Sequence, residues 1–86
     1  MMRICEEIET RLRAAFAPEA LHVEDDSESH RGHGGWREGG ETHFNVRIRA
    51  PQLAPLSRVE RHRAVHAALG KDLVGRIHAL ALDIQT

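Results

Sequence analysis

The sequence has 86 residues, 41% of them apolar and 29% charged, and a formal net charge of −1. That is one domain, residues 1–86, with a core large enough to fold alone but with little margin, and the composition excludes wholesale disorder. The single cysteine, Cys5, cannot form an intramolecular disulfide and excludes an all-cysteine metal site within one chain. There is no apolar run of the ~18 residues a membrane span needs, and the acidic start M-M-R-I-C-E-E-I-E is unlike a signal or transit peptide. The expected location is cytoplasmic, with no membrane partner.

Ile4, Ile8, Leu12, Ala15 and Phe16 recur at helical spacing, so residues 3–16 are expected to form an amphipathic helix that Pro18 ends. Cys5 lies beside that stripe, and nothing nearby favours its thiolate, so it reads as a packed thiol. Residues 20–26 alternate as a strand, with Leu21 and Val23 on one face and His22 and Glu24 on the other. Residues 27–40 break every periodicity and hold five of the seven glycines, two histidines and the only tryptophan, as expected of a long loop. Residues 42–49 are a second strand, with Phe44, Val46 and Ile48 inward and His43, Asn45, Arg47 and Arg49 outward and solvated.

Pro51 and Pro55 mark an irregular connection to a helix whose start is well signalled. Ser57 precedes Glu60 by three residues, a capping box in which each side chain satisfies the other's backbone N–H. Val59, Val65, Leu69 and Leu73 fall on one side of a 100° wheel, with His62 and His66 on one flank. Gly70 and Gly75 bracket a turn, and Ile77 to Ile84 alternates as a third strand in which His78, Leu80 and Leu82 share a face. The order is helix, strand, strand, helix, strand. A loop joins the first two strands, which are therefore antiparallel, and a helix joins the second and third, which are therefore parallel. One apolar face per strand places both helices on one side of a three-stranded mixed sheet, a two-layer α+β sandwich.

Charge is unevenly distributed along the chain. Residues 1–46 carry five Arg against ten Asp/Glu, a balance of −5, and residues 47–86 carry seven Lys/Arg against three, a balance of +4. The cations gather around the second helix: Arg47, Arg49, Arg58, Arg61, Arg63, Lys71 and Arg76. Such a patch attracts phosphates or an acidic protein face, and is equally what a solvated helix surface looks like. A pI of about 6.6 weighs against nucleic acid.

Seven histidines are many for this length. His62 and His66 have the spacing of two ligands on one helical face, but Arg-Ala-Val between them lacks a metalloprotease glutamate, and packing or surface roles are favoured. His22 and His43 read as solvated, and His30 and His33 as polar loop residues. His78, directly after a turn, reads either as a structural histidine at the core's edge or as a ligand. No nucleophile constellation stands out. Gly32-His33-Gly34-Gly35 matches a bare G-x-x-G but lies between strands, not between the helices of an RNA-gripping KH clamp.

Four stretches together resemble the BolA family in order and spacing: L-H-V-E-D-D-S-E-S-H-R-G-H, E-T-H-F-N-V-R-I, S-R-V-E-R-H-R-A-V-H-A-A-L and I-H-A-L-A-L. The resemblance covers nearly the whole chain and implies a KH-like fold of class II, α-β-β-α-β. It implies partnership with a monothiol glutaredoxin, the pair sharing or transferring a [2Fe–2S] cluster in iron–sulfur and iron homeostasis, and hence a binding module rather than an enzyme. The alternative it implies is DNA binding as a transcriptional regulator of stress response and cell morphology, through Arg58, Arg61, Arg63 and Lys71. The family's C-terminal cluster ligand maps onto His78. Its second ligand, histidine or cysteine in the loop between the first two strands, maps onto His33, with His30 the alternative. Trp36 in that loop is a candidate anchor at the partner interface. The isolated protein is expected to be a monomer without cofactor, forming a heterodimer with the glutaredoxin, in which glutathione and a glutaredoxin thiolate complete the ligand set.

Overall fold

Ile4, Ile8 and Leu12 form the buried stripe of the first helix, α1, Ile4–Phe16, in a computed structural model that describes residues 3–26 and 42–86. The helix stops where Ala17 takes a left-handed conformation, φ 42°, and returns its N–H to the Arg13 carbonyl. Pro18 then prevents its continuation. The strands β1, Ala20–Asp25, and β2, His43–Arg49, follow. A 3-10 turn at Pro51–Leu53 leads to α2, Arg58–Leu69, the short α3, Lys71–Val74, and β3, Ala79–Gln85.

The sheet order is β1-β2-β3. β1 pairs antiparallel with β2, setting Leu21 opposite Ile48 and Val23 opposite Val46. β2 pairs parallel with β3, setting Phe44 opposite Leu80 and Val46 opposite Leu82. The expected topology is therefore present, and so is the single covered face. Phe44, Val46 and Ile48 are buried against Ile8 and Leu12 of α1, Val65 and Leu69 of α2, and Leu73 of α3, while Asn45, Arg47 and Arg49 face outward and are exposed. Cys5 is half-buried and packs against this core.

The capping box at α2 is complete: the Ser57 N–H donates to Glu60 Oε1 at 2.9 Å, and the Glu60 N–H donates to Ser57 Oγ at 3.2 Å. One member of the α2 stripe is misplaced by sequence reasoning. Val59 is 58% exposed, whereas Val65, Leu69 and Leu73 are fully buried. Val59 joins that side of the wheel only by continuity with Leu73, and Leu73 belongs to α3, beyond the break at Gly70. The inward position one turn before Val65 is taken by Arg61, whose Nε and Nη2 donate to the carbonyls of Leu53 and Ala54, both at 2.9 Å. The arginine closes the 3-10 turn onto the helix start.

Gly70 is required where it stands. Its φ is +87°, and a Cβ there would lie 2.9 Å from Asp72 Oδ1 and 3.2 Å from Arg11. Around this break, ion pairs tie α1 to α3 and the following turn. Arg76 donates to both Glu7 carboxylate oxygens at 3.1 and 2.9 Å, and Arg11 reaches Asp72 at 3.3 Å and the Leu69 carbonyl. Among the described residues, no helix is long and apolar enough to cross a membrane.

These pairs make stability depend on pH in a definite direction. The hydrogen bond from Arg76 holds the Glu7 carboxyl below its ordinary 4.5, and that from Arg11 holds Asp72 below its ordinary 3.8. A depressed carboxylate stabilises the fold above its unfolded pKa, and the contribution is lost as pH falls through the folded value. Thermal unfolding followed from pH 6 downward should show the melting temperature falling below pH 4.5. Glu7→Gln should melt lower than the parent at pH 6, and the difference should close in acid. A constant difference across the series would show that the charge of Glu7 contributes nothing.

Candidate functional site

The end of the sheet where β1 finishes and β2 and β3 begin gathers the chemistry. Asp25, the last residue of β1, lies opposite Phe44, and the Asp26 N–H donates to the His43 carbonyl at 2.7 Å. The Thr42 carbonyl accepts two backbone donors, His78 N–H at 2.8 Å and Ala79 N–H at 3.1 Å. Both attachment points of the segment 27–41 and the backbone of His78 therefore meet at the dipeptide Thr42-His43. His30, His33 and Trp36, the loop residues singled out from sequence, lie outside the described residues.

His78 is exposed and precedes the strand, which opens at Ala79 and not at Ile77. Strand alternation therefore does not direct its side chain, and it does not line the Leu80–Leu82 face as the periodicity implied. Its ring instead stands against that of His43, with centroids 5.1 Å apart and planes at 57°. That separation and tilt lie in the range of favourable edge-to-face ring contacts.

His43 departs most from the sequence reading. Expected to be solvated with Asn45, Arg47 and Arg49, it is only 3% exposed, and its neighbour Thr42 is 1% exposed. The two side chains satisfy each other, His43 Nδ1 lying 2.8 Å from Thr42 Oγ1. Parity assigned His43 to the open face correctly, but that face is closed at the start of the central strand, where the His78 ring stands against His43. The available signal was the pair itself, two hydrogen-bonding side chains side by side at a strand start.

The remaining donors are scattered. His22 is exposed on β1, and His62 Nδ1 donates to the Arg58 carbonyl at 3.0 Å, which fixes its tautomer. No group of three or more His, Cys, Asp or Glu side chains that could hold a metal ion occurs among the described residues. Any metal centre built on His78 therefore needs ligands from elsewhere.

Part of the basic cluster is committed to the fold. Arg61 serves the 3-10 turn, Arg76 pairs with Glu7, and Arg47 Nε lies 3.3 Å from Asp83. Arg58, Arg63 and Lys71 are exposed and form no ion pair among the described residues. Arg58 and Arg63 flank Val59 and, with His62 and His66, line an open hollow of about 390 Å³.

These features define a small α+β domain presenting one anchored histidine at a sheet end and a partly basic helix beside it. The family model for BolA-like protein matches residues 12–86, and the chain belongs to that family. It is 40% identical over 79 residues to BolA-like protein 1 of Homo sapiens, covering 92% of this chain and 55% of that protein. It is 38% identical over 85 residues to the Escherichia coli protein named DNA-binding transcriptional regulator BolA, covering 99% of this chain and 77% of that one. The BolA domain of SufE1 from Arabidopsis thaliana superposes with a TM-score of 0.82 at 34% identity, covering 100% of this chain and 94% of that one. The chain thus spans little more than half the length of the mammalian relatives.

The two rings at the site should respond differently to truncation. His78→Ala removes an exposed side chain and should change unfolding free energy by no more than about 0.5 kcal/mol. His43→Ala takes a hydrogen-bond partner from the buried Thr42 hydroxyl and should cost about 1–3 kcal/mol. Urea unfolding of both variants checks this, and equal costs would contradict the burial difference.

Proposed function

We propose that this chain is an adaptor that pairs with a monothiol glutaredoxin and shares or transfers a [2Fe–2S] cluster, with His78 as one of its ligands. The observation that carries this reading is the anchoring of an exposed imidazole at the same dipeptide from which the segment 27–41 departs. That segment holds His33 and its alternative His30. Trp36 in the same segment is the anchor proposed for the partner interface.

The residues suit such a cargo. The one cysteine is half-buried on α1 and packs against the core, so in this reading imidazoles are what the chain offers. Two imidazoles complete one iron when a glutaredoxin thiolate and glutathione hold the other, a ligand pattern of the Rieske kind. An imidazole ligates only when neutral and is displaced on protonation, which favours delivery over storage. The backbone bond from His78 to Thr42 fixes where the ring is presented, and its exposure leaves it open to a partner. The pairing makes the isolated chain a cofactor-free monomer and the working form a heterodimer in the cytoplasm.

Mixed with a monothiol glutaredoxin, glutathione, iron and sulfide, the protein should give a heterodimer whose absorption spectrum differs from that of the glutaredoxin homodimer. His78→Ala should abolish that difference with the fold intact, and His33→Ala should weaken it. An unchanged spectrum and cluster stability in His78→Ala would make His78 a structural residue and end this reading. An effect of His30→Ala alone would reassign the second ligand and keep the mechanism.

The second reading, a DNA-binding transcriptional regulator of stress response and morphology, is favoured by the name of the Escherichia coli relative and by the exposed Arg58, Arg63 and Lys71. Removing one cation that neutralises a phosphate should reduce the slope of log affinity against log salt by about one. Arg58→Ala, Arg63→Ala and Lys71→Ala should each show this, whereas Arg61→Ala should loosen the start of α2 instead. Unchanged low-salt affinity in the triple variant of the three exposed residues would exclude the reading.

A further inference from the structure

Thr42 and His43 are the only polar side chains in the core among the described residues, and they are adjacent. Packing alone does not call for them. A buried hydroxyl and a buried imidazole must each replace the hydrogen bonds they made to water, and an apolar pair of the same shape avoids that requirement. Their mutual bond, Nδ1 to Oγ1 at 2.8 Å, meets part of it. What the pair does beyond satisfying itself is visible at His78. The Thr42 carbonyl holds the His78 backbone at 2.8 Å, and the His43 ring meets the His78 ring at 5.1 Å. His78 is thus held twice from one dipeptide, once at its backbone and once at its ring.

We infer that Thr42 and His43 are positioning residues for His78. Thr42 fixes the His43 ring, and the His43 ring restricts the orientations open to the exposed imidazole before any partner arrives. This inference rests on the proposed role of His78 as a cluster ligand and deepens it. An exposed histidine before a strand otherwise samples several rotamers, and ordering it on binding lowers affinity. Holding the ring in advance removes that cost, and ligand histidines are commonly oriented in this way by a neighbour that is not itself a ligand. The inference places no demand on His43 as a ligand. The Nδ1 of His43 already faces Thr42, and the residue is only 3% exposed.

The test reads the His78 ring directly. Carbon-13 relaxation of that ring in the isolated protein reports its order without any cluster, and thermal melts report the fold. His43→Ala should leave backbone structure in place and loosen the His78 ring. Should that variant fail to fold, Thr42→Val combined with His43→Leu refills the volume without a flat ring and should loosen it likewise. Thr42→Val combined with His43→Phe replaces the polar pair by an apolar one that keeps the ring contact, and should restore order. In the heterodimer with a monothiol glutaredoxin, cluster loss to a chelator should be about two- to tenfold faster in the loosened variants and near parental in the phenylalanine variant.

A His78 ring equally ordered in all variants overturns the positioning role and leaves the cluster reading standing. A ring loosened by His43→Ala with no change in cluster loss overturns it as well. His78→Ala without effect on the cluster defeats the proposed function, and this inference falls with it.

Discussion

The Thr42 carbonyl accepts the N–H groups of both His78 and Ala79, and the parallel pairing of β2 with β3 begins from that shared acceptor. A parallel pair has no hairpin to set its register, so the first bonds after the crossover must do it. Here they lock His43 beside Ala79 and Phe44 beside Leu80, which commits every later residue of β3 to its face. The same unit receives the end of β1, because the Asp26 N–H closes on the His43 carbonyl. A shift of one residue at this point would turn Leu80, Leu82 and Ile84 out of the core and carry His78 away from His43.

Much of this architecture was legible in the sequence because local rules and global packing agree. The Ser57–Glu60 capping box, the period-two strands and the helical stripe of Ile4, Ile8 and Leu12 each specify their element without outside help. What escaped depended on contacts between distant segments. Val59 sits at a position a continuous wheel would bury, but Gly70 interrupts the wheel before Leu73 can support it. His43 has outward parity, yet it is buried, with the ring of a residue 35 positions later against it. Periodicity records which side of a strand a residue occupies, not what later lies over that side. At the site, the prominence of His78 was visible in its place after a turn, whereas its support by Thr42 and His43 required the sheet register. His30, His33 and Trp36 carry no periodic signal; the two histidines are assigned from the family resemblance, and Trp36 from the chemistry of an indole in the same loop.

Charge shows the same division. The seven cations of the second half suggested a basic surface, yet Arg61 binds two carbonyls, Arg76 binds Glu7 and Arg47 meets Asp83. The acidic excess of the first half is partly consumed by the basic excess of the second, as Glu7 with Arg76 illustrates. The imbalance along the chain therefore works inside the domain, holding α1 against the turn after α3. Among the described residues, Arg49, Arg58, Arg63 and Lys71 remain exposed without such commitments, a modest base for phosphate binding. The apolar floor that Val59 contributes between the two arginines has no counterpart in a surface built for phosphate alone.

The two candidate surfaces lie apart along the sheet. Arg58 borders the later part of β3, where it lines a hollow with Leu82, Asp83 and Ile84, whereas His78 stands before the strand begins. Five residue steps separate His78 from Asp83, roughly 17 Å at the usual rise. α2 spans that distance, and Lys71, which opens α3 after Gly70, lies on the chain's return toward His78. A partner seated on His78 would therefore meet the basic surface only at its Lys71 end and leave Arg58 and Arg63 uncovered. The two proposed uses, glutaredoxin pairing and nucleic-acid contact, would in this geometry share a corner of the domain and not a site.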